Sequence, residues 1–294
     1  MNVRKRLLPA LLASFLVVSS GLIPGAAGAQ TKTPFDDGTT KIDRSQTTPG
    51  SGNGSFAAPQ SDLKTTPLPP DPSIQNSSKL TPPPLNYPLE PTSKSVTTYS
   101  PQFRGWLKEA HSFIDDWNFP EGVVNKYGQT ITRDDFLKAI IWIESNGVHK
   151  NSKGKITTSC VGAQGFMQLM PTTVKGLGYK ASDPRQNLLA GTKYIKELFT
   201  CDGVTNATTP TEKLIKACCA YNAGPYSNFV KRSWDQLKMG KNYETIGYGV
   251  KLKMCLGLEL TETEKNLVPK VLDCKKSQVE SLTNEFYSNA NGLF

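Results

Sequence analysis

The stretch from Thr132 to Gly147 sets the tightest limits on what this chain can fold into. Thr132 is a good N-cap, and Asp134 and Asp135 place negative charge in the first turn, where the helix dipole favours it. Leu137, Ile140 and Ile141 recur at helical spacing and mark a buried stripe. Asn146-Gly147 reads as the stop. The next position on that stripe is Glu144, which follows Ile141 by three residues and Ile140 by four. A carboxyl on the core side of a last helical turn loses water and meets the negative end of the dipole, and both disfavour the anion. Held protonated near neutral pH, such a group can donate a proton to a leaving group. The alternative is a side chain that swings past the helix end into solvent, and position alone leaves both open.

The rest of the chain reads as three regions before and around that helix. Residues 1–29 resemble a secretory leader: Arg4, Lys5 and Arg6, then an apolar run, then Ala27-Gly28-Ala29 before Gln30. The apolar run is short for a bilayer span, and no cysteine stands at the cleavage point for a lipid anchor. Residues 30–100 are rich in Pro, Ser and Thr, as in Pro82-Pro83-Pro84. They carry too few apolar side chains to offset chain entropy, which reads as a disordered or extended linker. The folded part is expected from Pro101, with a catalytic domain over 101–250 and a helical extension over 251–294.

Within it, Phe103, Trp106, Leu107, Ala110, Phe113 and Ile114 predict a helix. Asp183-Pro184-Arg185-Gln186 and Thr209-Pro210-Thr211-Glu212 are helix starts, each with a cap, a proline at the first position and a partner at the third. A short helical piece is expected after Pro171. Further helix is expected over 226–237 and over 267–286, with Pro269 in a first turn. Strand signals are scarce, so the fold class is mostly α. A small strand pair or an irregular loop fits best in 147–161.

Two more stretches carry chemistry. In Gly162-Ala163-Gln164-Gly165-Phe166-Met167-Gln168-Leu169-Met170-Pro171 the glycines suggest a backbone that something approaches closely. The Gln168 amide can both donate and accept, which suits sugar hydroxyls or an N-acetyl group. Phe166 reads as core, and Met167 offers an apolar face. Tyr221-Asn222-Ala223-Gly224 ends an apolar helix, and the Tyr221 hydroxyl needs a partner when buried: a protonated Glu144, or else backbone or water.

Glu144-Ser145, the segment from Gly162 to Pro171 and Ala220-Tyr221-Asn222-Ala223-Gly224 resemble, in order, the three signature motifs of the soluble lytic transglycosylase catalytic domain. Asp183-Pro184 with Asn187, Gly191 and Tyr194 is similar to that family's intervening helix, and Glu244-Thr245-Ile246-Gly247-Tyr248 to its final motif. The resemblance implies a lysozyme-like helical domain acting on the MurNAc–GlcNAc β-1,4 bond of peptidoglycan glycan strands, without cofactor or metal. It makes Glu144 the catalytic acid. It implies substrate-binding roles for Ser145, Gly165, Met167, Gln168, Tyr221, Asn222 and Tyr248, with Tyr221 and Tyr248 hydrogen-bonding near Glu144. The chain departs from the family in a long gap between Glu144 and Gly162 and in Gly249, which interrupts a Tyr-Val pair.

Most glycosidases need two carboxyls. Between Glu144 and Asp183 there is no Asp or Glu, although Glu244 could arrive in space. This suggests one glutamate acting as acid and then as base, closing a 1,6-anhydro ring. A hydrolytic muramidase like goose-type lysozyme and a non-catalytic wall-binding module are the rivals. The net charge of +9 suits an anionic polymer, and no phosphate loop, zinc-type cysteine pair or arginine-rich run suggests a nucleic-acid partner. With a leader, Cys160, Cys201, Cys218, Cys219, Cys255 and Cys274 are expected in disulfides, with Cys255–Cys274 a candidate staple for the tail. A Cys160–His149 nucleophile is the catalytic alternative. The expected setting is the periplasm or the cell wall outside, as a monomer without stable membrane insertion. The architecture resembles wall-opening parts of secretion, conjugation or phage machines.

Overall fold

The computed structural model describes residues 80–84, 94–238, 240 and 242–293. The expected leader (1–29) and most of the expected linker lie outside the described residues. Two short strands, β1 (Val96–Thr97) and β2 (Val148–Lys150), pair antiparallel. The helices are α1 (Phe103–Ile114), α2 (Arg133–Ser145), α3 (Pro171–Gly176), α4 (Pro184–Leu198), α5 (Asp202–Thr205), α6 (Pro210–Ala223), α7 (Asn228–Lys231), α8 (Trp234–Lys238), α9 (Tyr243–Leu256), α10 (Glu262–Leu272) and α11 (Val279–Asn291). Among the described residues no helix is long and apolar enough to cross a membrane.

Local chemistry accounts for the helix ends. Thr132 and Asp135 form a reciprocal capping box at the start of α2: the Asp135 N–H donates to Thr132 Oγ1 (3.2 Å) and the Thr132 N–H to Asp135 Oδ2 (2.9 Å). Asn146 closes α2 in the left-handed region at φ 52°. Asp183 and Thr209 cap α4 and α6, each followed by its proline.

The core forms where these helices cross. α1 packs on α4, and the segment between α1 and α2 is anchored there by Trp117 and Phe119, which meet Phe136 and Phe199. Phe136 and Phe199 stand 5.3 Å apart, ring centre to ring centre. Trp117 keeps its indole N–H satisfied by donating to the Thr192 carbonyl (3.1 Å).

The centre of the second half is α9, which packs against α2, α6, α10 and α11. Trp234 lies so close to α9 that a Cβ on Gly249 would stand 2.5 Å from its ring. The glycine that departs from the family pattern is therefore the one that lets this indole in. Trp234 Nε1 donates to Glu264 Oε1 (2.6 Å), and Lys253 Nζ to Glu264 Oε2 (2.6 Å), with the Glu264 side chain 1% exposed.

Several expectations need correction. The helix expected over 226–237 is two short ones, α7 and α8, separated at Arg232–Ser233. The helix expected over 267–286 is α10 and α11 with a 3₁₀ turn, Lys276–Gln278, between them. The start of α10 is the capping box of Thr261 and Glu264, and Pro269 lies inside that helix rather than in its first turn. In 147–161 only β2 is a strand, and its partner comes from before Pro101. Residues 96–100 thus belong to the fold, not to a linker, and Thr98 and Ser100 are buried.

The expected boundary after Val250 falls inside α9. Leu293 is fully buried, and the Tyr99 hydroxyl donates to the Gly292 carbonyl, so the tail closes on the same core. Cys201, Cys218, Cys219, Cys255 and Cys274 are free thiols, and the Cys255–Cys274 staple is not formed: Cys255 is buried on α9, while Cys274 is half-buried beyond α10.

Candidate active site

Glu144 sits in the last turn of α2, where that helix meets α9. It is half-buried, and burial pushes its carboxyl up to about 8. A hydrogen bond from Tyr248 and the charge of Lys251 pull the other way, and the charge of Glu244 adds to the rise. The Tyr248 hydroxyl donates to Glu144 and accepts from the Asn222 amide. Asn222 is fixed in turn, because its Oδ1 accepts from Thr245 Oγ1 (3.2 Å), and Thr245 Oγ1 accepts from Asn242 Nδ2 (3.1 Å). The end of α6 and the start of α9 thus orient one carboxyl through a chain of uncharged groups. A carboxyl so held can deliver a proton near neutral pH.

The loop from Gly162 to Pro171 is fastened beside it by side chains from three helices. Asn187 of α4, fully enclosed, accepts from the Met167 N–H at its Oδ1 (2.9 Å) and donates from Nδ2 to the Gln164 carbonyl (2.8 Å). Tyr221 of α6 donates to the Met167 carbonyl (2.6 Å), and Ser145 of α2 donates to the Phe166 carbonyl (2.8 Å). Gln168 adopts φ 42°, and its Nε2 donates to the Gly165 (2.8 Å) and Thr157 (3.1 Å) carbonyls. Among the described residues no donor reaches the Gln168 amide oxygen. Gly165, at φ 76°, allows the closest approach: a Cβ there would lie 2.5 Å from His149 Nδ1 and 2.8 Å from Asn187 Cγ.

These contacts redistribute the expected roles. Glu144, Asn222 and Tyr248 are brought together. Tyr221 stands close enough for the Glu144 charge to act on it, but its hydroxyl goes to the Met167 backbone rather than to the acid. Ser145 spends its hydroxyl on the loop backbone. The Met167 side chain is fully buried against α4 rather than lining a groove, and what approaches Gly165 is His149 and Asn187. Phe166 is core, as expected. His149 is completely enclosed with Nε2 on the Ser182 carbonyl (3.1 Å), whereas Cys160 is exposed.

Two residues escaped the sequence reading as parts of the site. Asn187 was legible as an amide on the buried face of a helix, and Lys251 as a lysine three places after Tyr248 within an apolar run. Among the described residues no group of three or more His, Cys, Asp or Glu could hold a metal. A cavity of about 500 Å³ lies elsewhere, lined by Pro82–Pro84, Gln129, Asp135 and Tyr287.

Comparison with known proteins agrees with the geometry. Residues 125–245 match the Transglycosylase SLT domain family. A protein named Transglycosylase from Enterobacteria phage PRD1 is 55% identical over 42 residues, which is 14% of this chain and 16% of that protein. The match thus spans well under two thirds of that relative's length. Residues 125–245, which hold Glu144, the fastened loop and the end of α6, are the part of this chain that is similar to the Transglycosylase SLT domain family.

Proposed function

We propose that this protein is a peptidoglycan lytic transglycosylase with Glu144 as its single acid and base. The carrying observation is a carboxyl kept neutral to about pH 8 by burial while the Tyr248–Asn222 chain fixes its direction. In the first step Glu144 protonates the oxygen between MurNAc C1 and GlcNAc C4, and that C–O bond breaks. The carbonyl oxygen of the MurNAc N-acetyl group bonds to C1 and takes up the positive charge. In the second step the Glu144 carboxylate removes the proton of the MurNAc C6 hydroxyl. The freed oxygen bonds to C1 and releases the acetamido group. No water is consumed, a 1,6-anhydro end forms, and Glu144 is protonated again.

The free Gln168 amide oxygen suits a sugar hydroxyl or N–H at this site, and its amide nitrogen is committed to the loop. The basic balance of the chain favours an anionic wall polymer. A leader-like start and a Pro/Ser/Thr-rich stretch fit an exported, tethered, monomeric enzyme that opens the wall for a secretion, conjugation or phage machine.

The test is mass spectrometry of muropeptides released from purified sacculi. Wild-type protein yields anhydro products one water lighter than hydrolysed ones, and Glu144→Gln yields none above background. A Glu144→Gln variant with wild-type turnover refutes the assignment. Glu244, exposed but acting on Glu144, favours a second reading as a hydrolytic muramidase, and fully hydrated products would establish it. Binding to sacculi without turnover would instead mark a non-catalytic module.

A further inference from the structure

Two lysines of α9 are buried, Lys251 at 9% exposure and Lys253 at 6%. Val250, Leu252, Met254 and Cys255 beside them on the same helix are fully enclosed. An ammonium in such a place is costly unless an opposite charge meets it. For Lys253 that charge is Glu264 (2.6 Å). For Lys251 the geometry leads to the site. Its Nζ stands 5.6 Å from the centre of the Tyr248 ring, and the hydroxyl of that ring donates to Glu144.

We propose that Lys251 is a positioning residue for the reaction: its buried ammonium beside the Tyr248 ring stabilises the carboxylate that Glu144 becomes once it has given up its proton. The proposal rests on the assignment of Glu144 as the acid.

Before proton transfer Lys251 faces a neutral carboxyl and gains little. Afterwards it faces an anion in a site with little water, where opposite charges attract strongly. Stabilisation that arises only as charge develops lowers the barrier rather than merely tightening the resting state. The other titratable groups facing Glu144 are Glu244 and Tyr248 on α9 and Cys218 and Tyr221 on α6. Burial keeps both hydroxyls and the thiol protonated, and Glu244 carries the wrong sign. The loop from Gly162 to Pro171 contains no ionisable side chain. Among the described residues, Lys251 is the cation whose charge acts on Glu144.

The experiment compares Lys251→Met and Lys251→Arg with wild type in the full chain. Two readouts are used: the Glu144 carboxyl carbon followed by NMR against pH, and the pH profile of anhydro-muropeptide release. In Lys251→Met the Glu144 midpoint is expected to rise by about one unit or more. The alkaline limb of the profile should rise with it, and kcat should fall about tenfold. Lys251→Arg should restore all three. A folded Lys251→Met protein with an unmoved midpoint overturns the proposal. If that variant does not fold, wild type decides: the Lys251 Nζ resonance must show an inflection at the Glu144 midpoint that vanishes in Glu144→Gln, and its absence overturns the proposal. Coupled titrations without anhydro product would instead sink the transglycosylase reading and leave the lysine–glutamate coupling standing.

Discussion

A carboxyl that the fold keeps protonated lowers the stability of that fold, and the size of the effect follows from the structure. Glu144 has a native value of about 8 against an ordinary 4.5. Below pH 4.5 both the native and the unfolded chain hold this proton, and the group costs nothing. Between 4.5 and 8 the unfolded chain ionises while the native site does not. Unfolding then releases a proton, and each unit of pH favours it by about 1.4 kcal/mol. Above pH 8 both forms are ionised and the cost stays at its full size, about 5 kcal/mol.

Glu144→Gln removes the titration but keeps the volume and an acceptor for the Tyr248 hydroxyl. The variant should therefore match wild type at pH 4 and exceed it by about 3 kcal/mol at pH 7. For a domain of this size that is a Tm gain of roughly 6–12 °C. The assay is thermal unfolding of both proteins from pH 4 to 9, read as the difference, so that other titrations cancel. A difference that stays flat across the range would refute the burial argument, whatever the variant does to activity. A gain that grows with pH while turnover vanishes would show stability given up at the site for chemistry.

Asn187→Leu should cost about 2–6 kcal/mol, because the Met167 N–H and the Gln164 carbonyl lose buried partners together. Muropeptide release should fall more than stability does, and a Tm within 2 °C of wild type, which in this size class is under about 1 kcal/mol, would refute the clamp. His149 is held below the ordinary value of 6.5, chiefly by burial and then by the charge of Lys150. Because the unfolded chain takes up this proton first, the His149 contribution to stability is present above pH 6.5 and lost as pH falls below it. Unfolding by urea should show that loss in wild type, and His149→Gln should flatten it.

What the sequence disclosed and what it hid divide along a physical line. The ends of α2, α4 and α6 were legible because caps act over three or four residues, so Thr132, Asp183 and Thr209 declare themselves locally. Glu144 was legible because a carboxyl interrupted an apolar stripe. The central helix α9 was not, since Lys251 and Lys253 break its apolar pattern, and their burial becomes intelligible only beside Glu144 and Glu264. Pro269 misled for the same reason: a proline usually marks a helix start, and the capping box at Thr261, eight residues earlier, outweighs it. The roles of Met167, Ser145 and Tyr221 turn on contacts with distant backbone, which no local pattern encodes.

That division bears on how the site works. The groups expected to touch sugar and found bonded to backbone instead (Ser145 and Tyr221) hold the loop through the carbonyls of Phe166 and Met167. Asn187 holds the same loop through the N–H of Met167. Three helices thus converge on two adjacent residues, and Gln168 follows directly in a left-handed conformation that a loose loop would not keep. Because the Gln168 amide nitrogen is spent on the Gly165 and Thr157 carbonyls, its oxygen has one direction available. The acid is built on the same plan, with Tyr248 aimed by Asn222 and Asn222 by Thr245. In the proposed mechanism, rigid support of this kind would let a single carboxyl serve two successive proton transfers. The group need not move between them, because only its charge changes, and the buried lysine on α9 is placed to meet that change.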